Sequence, residues 1–202
     1  METTRKGPSG RPRGFDADAA LERAMLVFWE HGYEGASMAA LTEAMGISTT
    51  SLYAAFGNKQ ELFRKVLDRY TDGPSDYLFR ALEEPTALGV ATAILTGTVR
   101  TTTGPAHPHG CLGVQGALAA GDSGREVRDL LIAWRNSGHS HVEERFRRAV
   151  DEGDLPPEAD PALLARYVIT LAHGVAVQAA SNVCRDELQE MIDAALRKWP
   201  PA

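Results

Sequence analysis

The densest run of reactive side chains is His107-Pro108-His109-Gly110-Cys111, two imidazoles and a thiol within five residues. These are three soft ligands for zinc or copper. A closed structural zinc site needs a fourth, and no nearby Cys, Asp or Glu supplies it, so no metal site is assigned. The same run admits thiol chemistry. Cys111 should open a helix after Gly110, and a helix N-terminus near a protonated histidine lowers a thiol's pKa. A small cysteine that only packs looks the same in sequence. A second candidate is Thr49-Thr50-Ser51-Leu52-Tyr53-Ala54 with Lys59 downstream. Small hydroxyls and one methyl let a helix sit deep in a DNA major groove, where Thr bonds base edges and Ala meets a thymine methyl. Tyr53 is long enough to reach a phosphate. Ser37 and Lys59 stand at expected helix N-termini, where free amides favour a phosphate oxygen and Lys59 adds a full charge. An exposed Ser/Thr-rich turn of a helical bundle is the competing reading.

The elements that would hold these residues are helices, and alternating β-branched runs are absent. A first helix is expected over about 17–31, capped by Asp16, with Ala20, Leu21, Ala24 and Phe28 on one face. Gly32 closes it where a left-handed residue is wanted. A short helix starts at Ser37, with Ala40, Leu41 and Ala44 inward, and ends at Gly46. Only Ile47 and Ser48 separate it from a third over about 49–56, anchored by Leu52 and Phe56. A fourth opens at Asn58 with Glu61 three residues on, a capping-box spacing, and an inward stripe of Phe63, Val66, Leu67 and Tyr70. Two short helices across a tight glycine-containing turn form a helix-turn-helix signature, although the spacing alone recurs in many helical proteins.

Residues 24–63, AMLVFWEHGYEGASMAALTEAMGISTTSLYAAFGNKQELF, resemble the N-terminal domain of the TetR family of bacterial transcriptional repressors. The matching features are Phe28-x-x-x-Gly32-Tyr33, Ser37, the Gly46-Ile47-Ser48 turn, Leu52-Tyr53-x-x-Phe56 and Asn58-Lys59-x-x-Leu62. One departure is Ala54-Ala55, where many members carry larger side chains; it leaves fewer direct base contacts. The basic arm Gly10-Arg11-Pro12-Arg13-Gly14 also recurs ahead of this domain. Arg11 and Arg13 would follow the backbone or enter the minor groove, unless the arm is a disordered solubilising tail. The resemblance implies an all-α protein of about nine helices. A flexible basic arm (1–14) leads into a three-helix helix-turn-helix domain (15–57) and a linking helix (58–70). A larger effector-binding and dimerisation domain (71–202) follows.

In that second domain helices are expected over about 76–82, 87–103, 111–120, 125–152, 161–181 and 186–199, broken by prolines. The segment from Arg125 is the longest, with Val127, Leu130, Trp134, Gly138, His141, Arg145 and Ala149 on one face. The last two helices carry Tyr167, Leu171, Gly174 and Val175, then Leu188, Ile192, Leu196 and Trp199. This pattern fits a core as well as a partner surface. The resemblance implies the latter, a homodimer whose last two helices pair into a four-helix bundle and read a palindromic double-stranded operator. Its half-sites would lie roughly 34–36 Å apart. Relatives hold a small-molecule effector between the two domains. By residue type the lining should include Leu95, Val99, Cys111, Gln115, Leu118 and Trp134, with His173 and Gln178 as further polar groups; Gln115, His173 and Gln178 orient a ligand only if they face inward, and a satisfied core or surface position is the commoner role of such residues. Gly-Cys-Leu at this helix start resembles a subset of the family, which makes Cys111 a candidate electrophile or oxidant sensor. A helical ligand-binding or redox-sensing protein acting through Cys111, with DNA binding secondary or absent, is therefore the alternative.

Charge sharpens the division. The 202 residues hold 27 acids and 21 bases, a net −6, which taken whole argues against nucleic acid. Residues 1–70 are balanced at nine of each, so the whole excess lies in the second domain. Two cysteines are too few for a disulfide framework, and no stretch approaches about 18 uninterrupted apolar residues, so a cytoplasmic protein with no membrane partner is expected. The polar N-terminus does not read as a secretory signal. No glycine-rich phosphate loop, HExxH or GxSxG is present, so no catalytic residue or cofactor is assigned. Glu83-Glu84 and Glu143-Glu144 read as solvated faces.

Overall fold

The computed structural model describes residues 14–118 and 124–201, with the side chains of 116–118 excepted. Among the described residues there are ten helices and no strand. The first four are α1 (Ala17–Gly35), α2 (Met38–Met45), α3 (Thr49–Phe56) and α4 (Lys59–Asp72). Local chemistry sets each boundary. Asp16 accepts from the amides of Asp18 and Ala19, Ser37 from Ala40, and Ser48 from Ser51. Asn58 and Glu61 form a complete capping box. Gly32 and Gly46 both take φ near +67°, a conformation that costs glycine nothing, and α1 is non-helical at Gly32.

The remaining helices are α5 (Tyr77–Ala81), α6 (Ala87–Thr102), α7 (Leu112–Leu118), α8 (Arg125–Asp151), α9 (Pro161–Ala180) and α10 (Arg185–Leu196). α9 has the length and mean hydropathy of a membrane span. It packs along α6 and α8 and buries Leu164, Ala165, Val168, Ile169, Ala172, Val175, Ala176 and Ala179. One expected face turns. His141 of α8 is exposed, while Val142 and Phe146 are fully buried. Arg145 is buried beside them because its guanidinium donates to the carbonyls of Leu82 (3.1 Å) and Glu84 (2.7 Å).

Two apolar cores form, and their border does not follow the 70/71 division expected from composition. The N-terminal core, built on Phe28, Trp29, Leu41, Leu52, Phe63 and Tyr70, continues through Cys111, Leu112 and Val114 to Val127 and Leu131 of α8. α7 packs against both α1 and α8, so the start of the large domain shares a core with the small one. The second core lies among α6, α8, α9 and α10.

Candidate nucleic-acid interface and internal cavity

α3 is held to the body by Leu52, fully buried, and Phe56, 5% exposed. The residues between them turn outward. Thr49, Thr50, Tyr53 and Ala54 are exposed, Tyr53 to 51%. Ser51 is half-buried, and its hydroxyl shares a hydrogen bond with Ser48 at 2.9 Å. Ser37 Oγ accepts from the Ala40 amide, leaving its proton free to donate. Lys59 opens α4 with its ammonium 4.5 Å above the Tyr33 ring. Burial draws its pKa down, and Glu34 draws it back up. Gly14 and Phe15 border the same surface hollow as Ser48, Ser51 and Ala54, so the chain joins the domain beside α3. Arg11 and Arg13 lie outside the described residues.

A cavity of about 130 Å³ opens between the two cores. Thr71 of α4 reaches it, together with residues of α5, α6, α8 and α9 and the start of α7. Cys111, Trp134 and His173 line it. Leu95 and Val99 do not. Both pack inside the second core, and Ile94 and Thr98, one residue earlier, face the cavity. The helix is rotated by about 100° from the orientation expected, one residue's turn of an α-helix. Gln178 is exposed and away from the lining. Gln115 is half-buried close to Gly110, its Oε1 without a partner. The side chain of Leu118 lies outside the described ones. Arg135, Tyr77 and Thr71 join the lining without having been expected there.

Cys111 is 9% exposed, and its Sγ accepts a hydrogen bond from Tyr70 at 3.1 Å. Burial pushes the thiol pKa up. Hydrogen bonds from Tyr70 and from the Val114 and Gly113 amides, and the Arg135 charge, pull it only part of the way back. The expectation of a thiol activated at a helix N-terminus is therefore corrected: desolvation outweighs the dipole. The histidines do not assist. His107 stacks on Trp29 at 5.1 Å and His109 is exposed. Among the described residues no three His, Cys, Asp or Glu side chains converge as metal ligands. Both cysteines are free.

The cavity wall is joined to α4 and α1 by a polar and aromatic chain. Trp134 Nε1 donates to Thr71 Oγ1 at 2.8 Å. Tyr70, bonded to Cys111, meets Trp29 edge-on at 4.9 Å, and Trp29 Nε1 donates to the Gly110 carbonyl at 3.2 Å. On the other side of the same helix, Arg69 pairs with Glu22 of α1 at 2.5 Å. α4 thus carries Lys59 at one end and Tyr70 and Thr71 at the other.

The residues expected at a dimer interface divide. Val175, Leu188 and Ile192 are buried within the chain's own core. Tyr167, Leu171, Leu196 and Trp199 are half-buried, Trp199 against Phe146 at 5.5 Å. Only Gly174 faces outward, on a stripe with Leu163 (61% exposed), Thr170 and Val177 (42%); α10 adds Met191 and Ala194. α9 is apolar on both sides and α10 on one, and packing of α9 against α6 and α8 and of α10 against α6 took the residues that sequence assigned to a partner.

Two family models match. Residues 20–66 match the N-terminal domain of bacterial regulatory proteins of the tetR family. Residues 91–195 match the tetracyclin repressor-like C-terminal domain. The chain is 30% identical over 197 residues to the HTH-type transcriptional repressor ComR of Escherichia coli K12, covering 96% of this chain and 94% of that protein. It is 30% identical over 140 residues to the repressor BdcR of the same organism, covering 69% and 70%. Among solved structures, a cysteine mutant of the TetR-family regulator CifR, complexed with 26-bp double-strand operator DNA, superposes with a TM-score of 0.90. Its identity is 44%, over 94% of this chain and all of that one. A TetR regulator from Rhodococcus sp. RHA1 is 43% identical, with a TM-score of 0.63, over 93% of this chain and all of that one.

Proposed function

Since this chain belongs to the TetR family of bacterial regulatory proteins, we propose that it is a transcriptional repressor that binds a palindromic operator as a homodimer and releases it when a small effector occupies the cavity. The observation that carries the reading is the outward face of α3. A short helix, capped at Ser48 and pinned by Leu52 and Phe56, presents Thr49, Thr50, Tyr53 and Ala54 exposed among the described residues. The DNA-bound relative supports the same role. In this reading Thr50 and Ala54 meet base edges. Ser37, Thr49, Tyr53 and Lys59 hold phosphates, and the arm carrying Arg11 and Arg13 tracks the backbone beside α3.

Tyr53→Ala and Lys59→Ala test it. Each is expected to weaken operator binding about tenfold, one exposed phosphate contact of roughly 0.7 kcal/mol being lost in each half-site. Lys59→Ala should also lower the salt dependence of binding by about two ions per dimer. Gel-shift affinities at fixed salt that are unchanged in both variants, with sedimentation confirming a dimer, would count against this docking.

The effector acts through α4. At about 1.5 Å per residue its 14 residues form a rigid lever roughly 20 Å long, with Lys59 on the DNA side and Tyr70 and Thr71 on the cavity wall. A ligand that displaces Trp134 or Cys111 shifts this helix and changes the spacing of the two reading heads. It can do so only through unequal affinity for the two spacings.

Because Cys111 faces the cavity, sensing through its thiol is the second reading. Burial keeps the thiol protonated, so a reactive effector must itself enter the cavity. Brief iodoacetamide treatment is expected to label exposed Cys184 first and leave operator affinity unchanged. Loss of DNA binding in step with Cys184 labelling would show that the cavity is not the thiol site that matters.

A further inference from the structure

Among the described residues, the cavity lining is mostly apolar and contains no carboxylate, and Arg135 is its one permanent charge. Arg135 Nη1 donates to the Gly113 carbonyl at 2.9 Å. No acid among the described residues acts on this guanidinium. Burial lowers its pKa, and the group that offsets this is Cys111. His173 stands in the same wall, its pKa pushed down to about 4 by burial and then by Arg135. It is therefore a neutral imidazole at physiological pH, with one donor and one acceptor to offer. Arg135 is half-buried in this wall, and no carboxylate among the described residues offsets the part of its charge that is desolvated.

We propose that the effector is a small monocarboxylate whose carboxylate pairs with Arg135 beside His173, its apolar body resting on Trp134, Ile94 and Ile169. The inference rests on the cavity being the effector site. The planar guanidinium fork matches a carboxylate, and the pair restores the missing counter-charge. A cationic ligand is repelled by Arg135, and a neutral one of the same shape leaves the charge uncompensated. Volume limits the body. A cavity of about 150 Å³ accepts benzene, so this one suits a single ring or a chain of about ten heavy atoms or fewer.

Calorimetric titration of the full-length protein with benzoate and hexanoate, and with benzamide and hexanamide as neutral isosteres, tests this. At least one acid is expected to bind about tenfold or more tightly than its own amide. Arg135→Met should erase that preference while leaving amide binding as it was, which also shows that the variant folds. Arg135→Lys should recover part of it. Amides binding as well as acids, no binding by either acid, or undiminished acid binding by Arg135→Met overturns the proposal. A gel shift separates the two readings. Amides that release operator DNA while acids do not would leave the effector site standing and remove the charge requirement. An Arg135-dependent acid that never changes operator affinity would do the reverse.

Discussion

Aspartate at both Leu163 and Val177 is expected to yield a folded monomer that binds its operator about 10²–10⁴-fold more weakly than the parent. These side chains are 61% and 42% exposed on α9, on one stripe with Thr170 and Gly174, and Met191 and Ala194 of α10 extend the stripe. Neither belongs to the buried core, so the substitutions leave the chain's own packing intact. In a two-fold contact each aspartate meets the same face of the partner, which places like charges together and strips them of water. Each reading head alone has a small electrostatic footprint. Affinity then depends on two heads being held at a fixed separation, and splitting the dimer removes that linkage without altering one DNA contact. Equilibrium sedimentation and circular dichroism report mass and fold, and a gel shift reports affinity. A variant that stays dimeric and binds undiminished would move the interface elsewhere, with the outward Ile132 of α8 the next place to look.

Phe28→Ala is expected to cost about 3–5 kcal/mol of stability. Phe28 is fully buried in α1, edge-on to Phe63 of α4 at 5.1 Å and stacked on Tyr33 at 6.1 Å. Removing the ring opens a void between the two helices that frame the reading domain. The surrounding packing relaxes only in part, so the void is not filled. Whole domains have only about 5–15 kcal/mol in hand, so the melting temperature should fall by roughly 10 °C and operator binding should fail first. A thermal shift under about 2 °C would mean that the aromatic cluster is not what holds α1 to α4.

The contrast between these two sites shows what was legible beforehand. Phe28 fell inward as its spacing required, because it lies within the broad apolar arc of α1 that Ala20, Ala24, Met25 and Trp29 also bury. The interface residues did not sort in the same way. Val175 belongs to a helix apolar on both sides, and Leu188 and Ile192 to the one apolar stripe of α10; periodicity cannot say whether such a stripe meets the chain's own core or a partner. Leu95 and Val99 failed for a related reason. α6 is apolar nearly all round, with Val90, Ala91, Ile94, Leu95, Thr98 and Val99 all buried, so its rotation is decided by α9 and α10. Arg135 escaped notice because a lone arginine beside a tryptophan reads as surface until the helix around it is enclosed.

What the residues settled alone is the reading head. Asp16, Ser37, Ser48 and the Asn58–Glu61 pair each bond to amides two or three positions away, and Gly32 and Gly46 turn the chain where they stand. Such interactions span a few residues, so they are written wherever the chain is written. The cavity, the arginine in its wall and the state of Cys111 were decided by folding. A thiol at a helix start has its pKa lowered by the dipole, yet Cys111 is raised, because enclosure by α4, α7 and α8 removes the water that would stabilise a thiolate. Desolvation depends on everything that packs around a group, and Tyr70 meets Cys111, and Trp134 and His173 come to share its cavity, only in three dimensions.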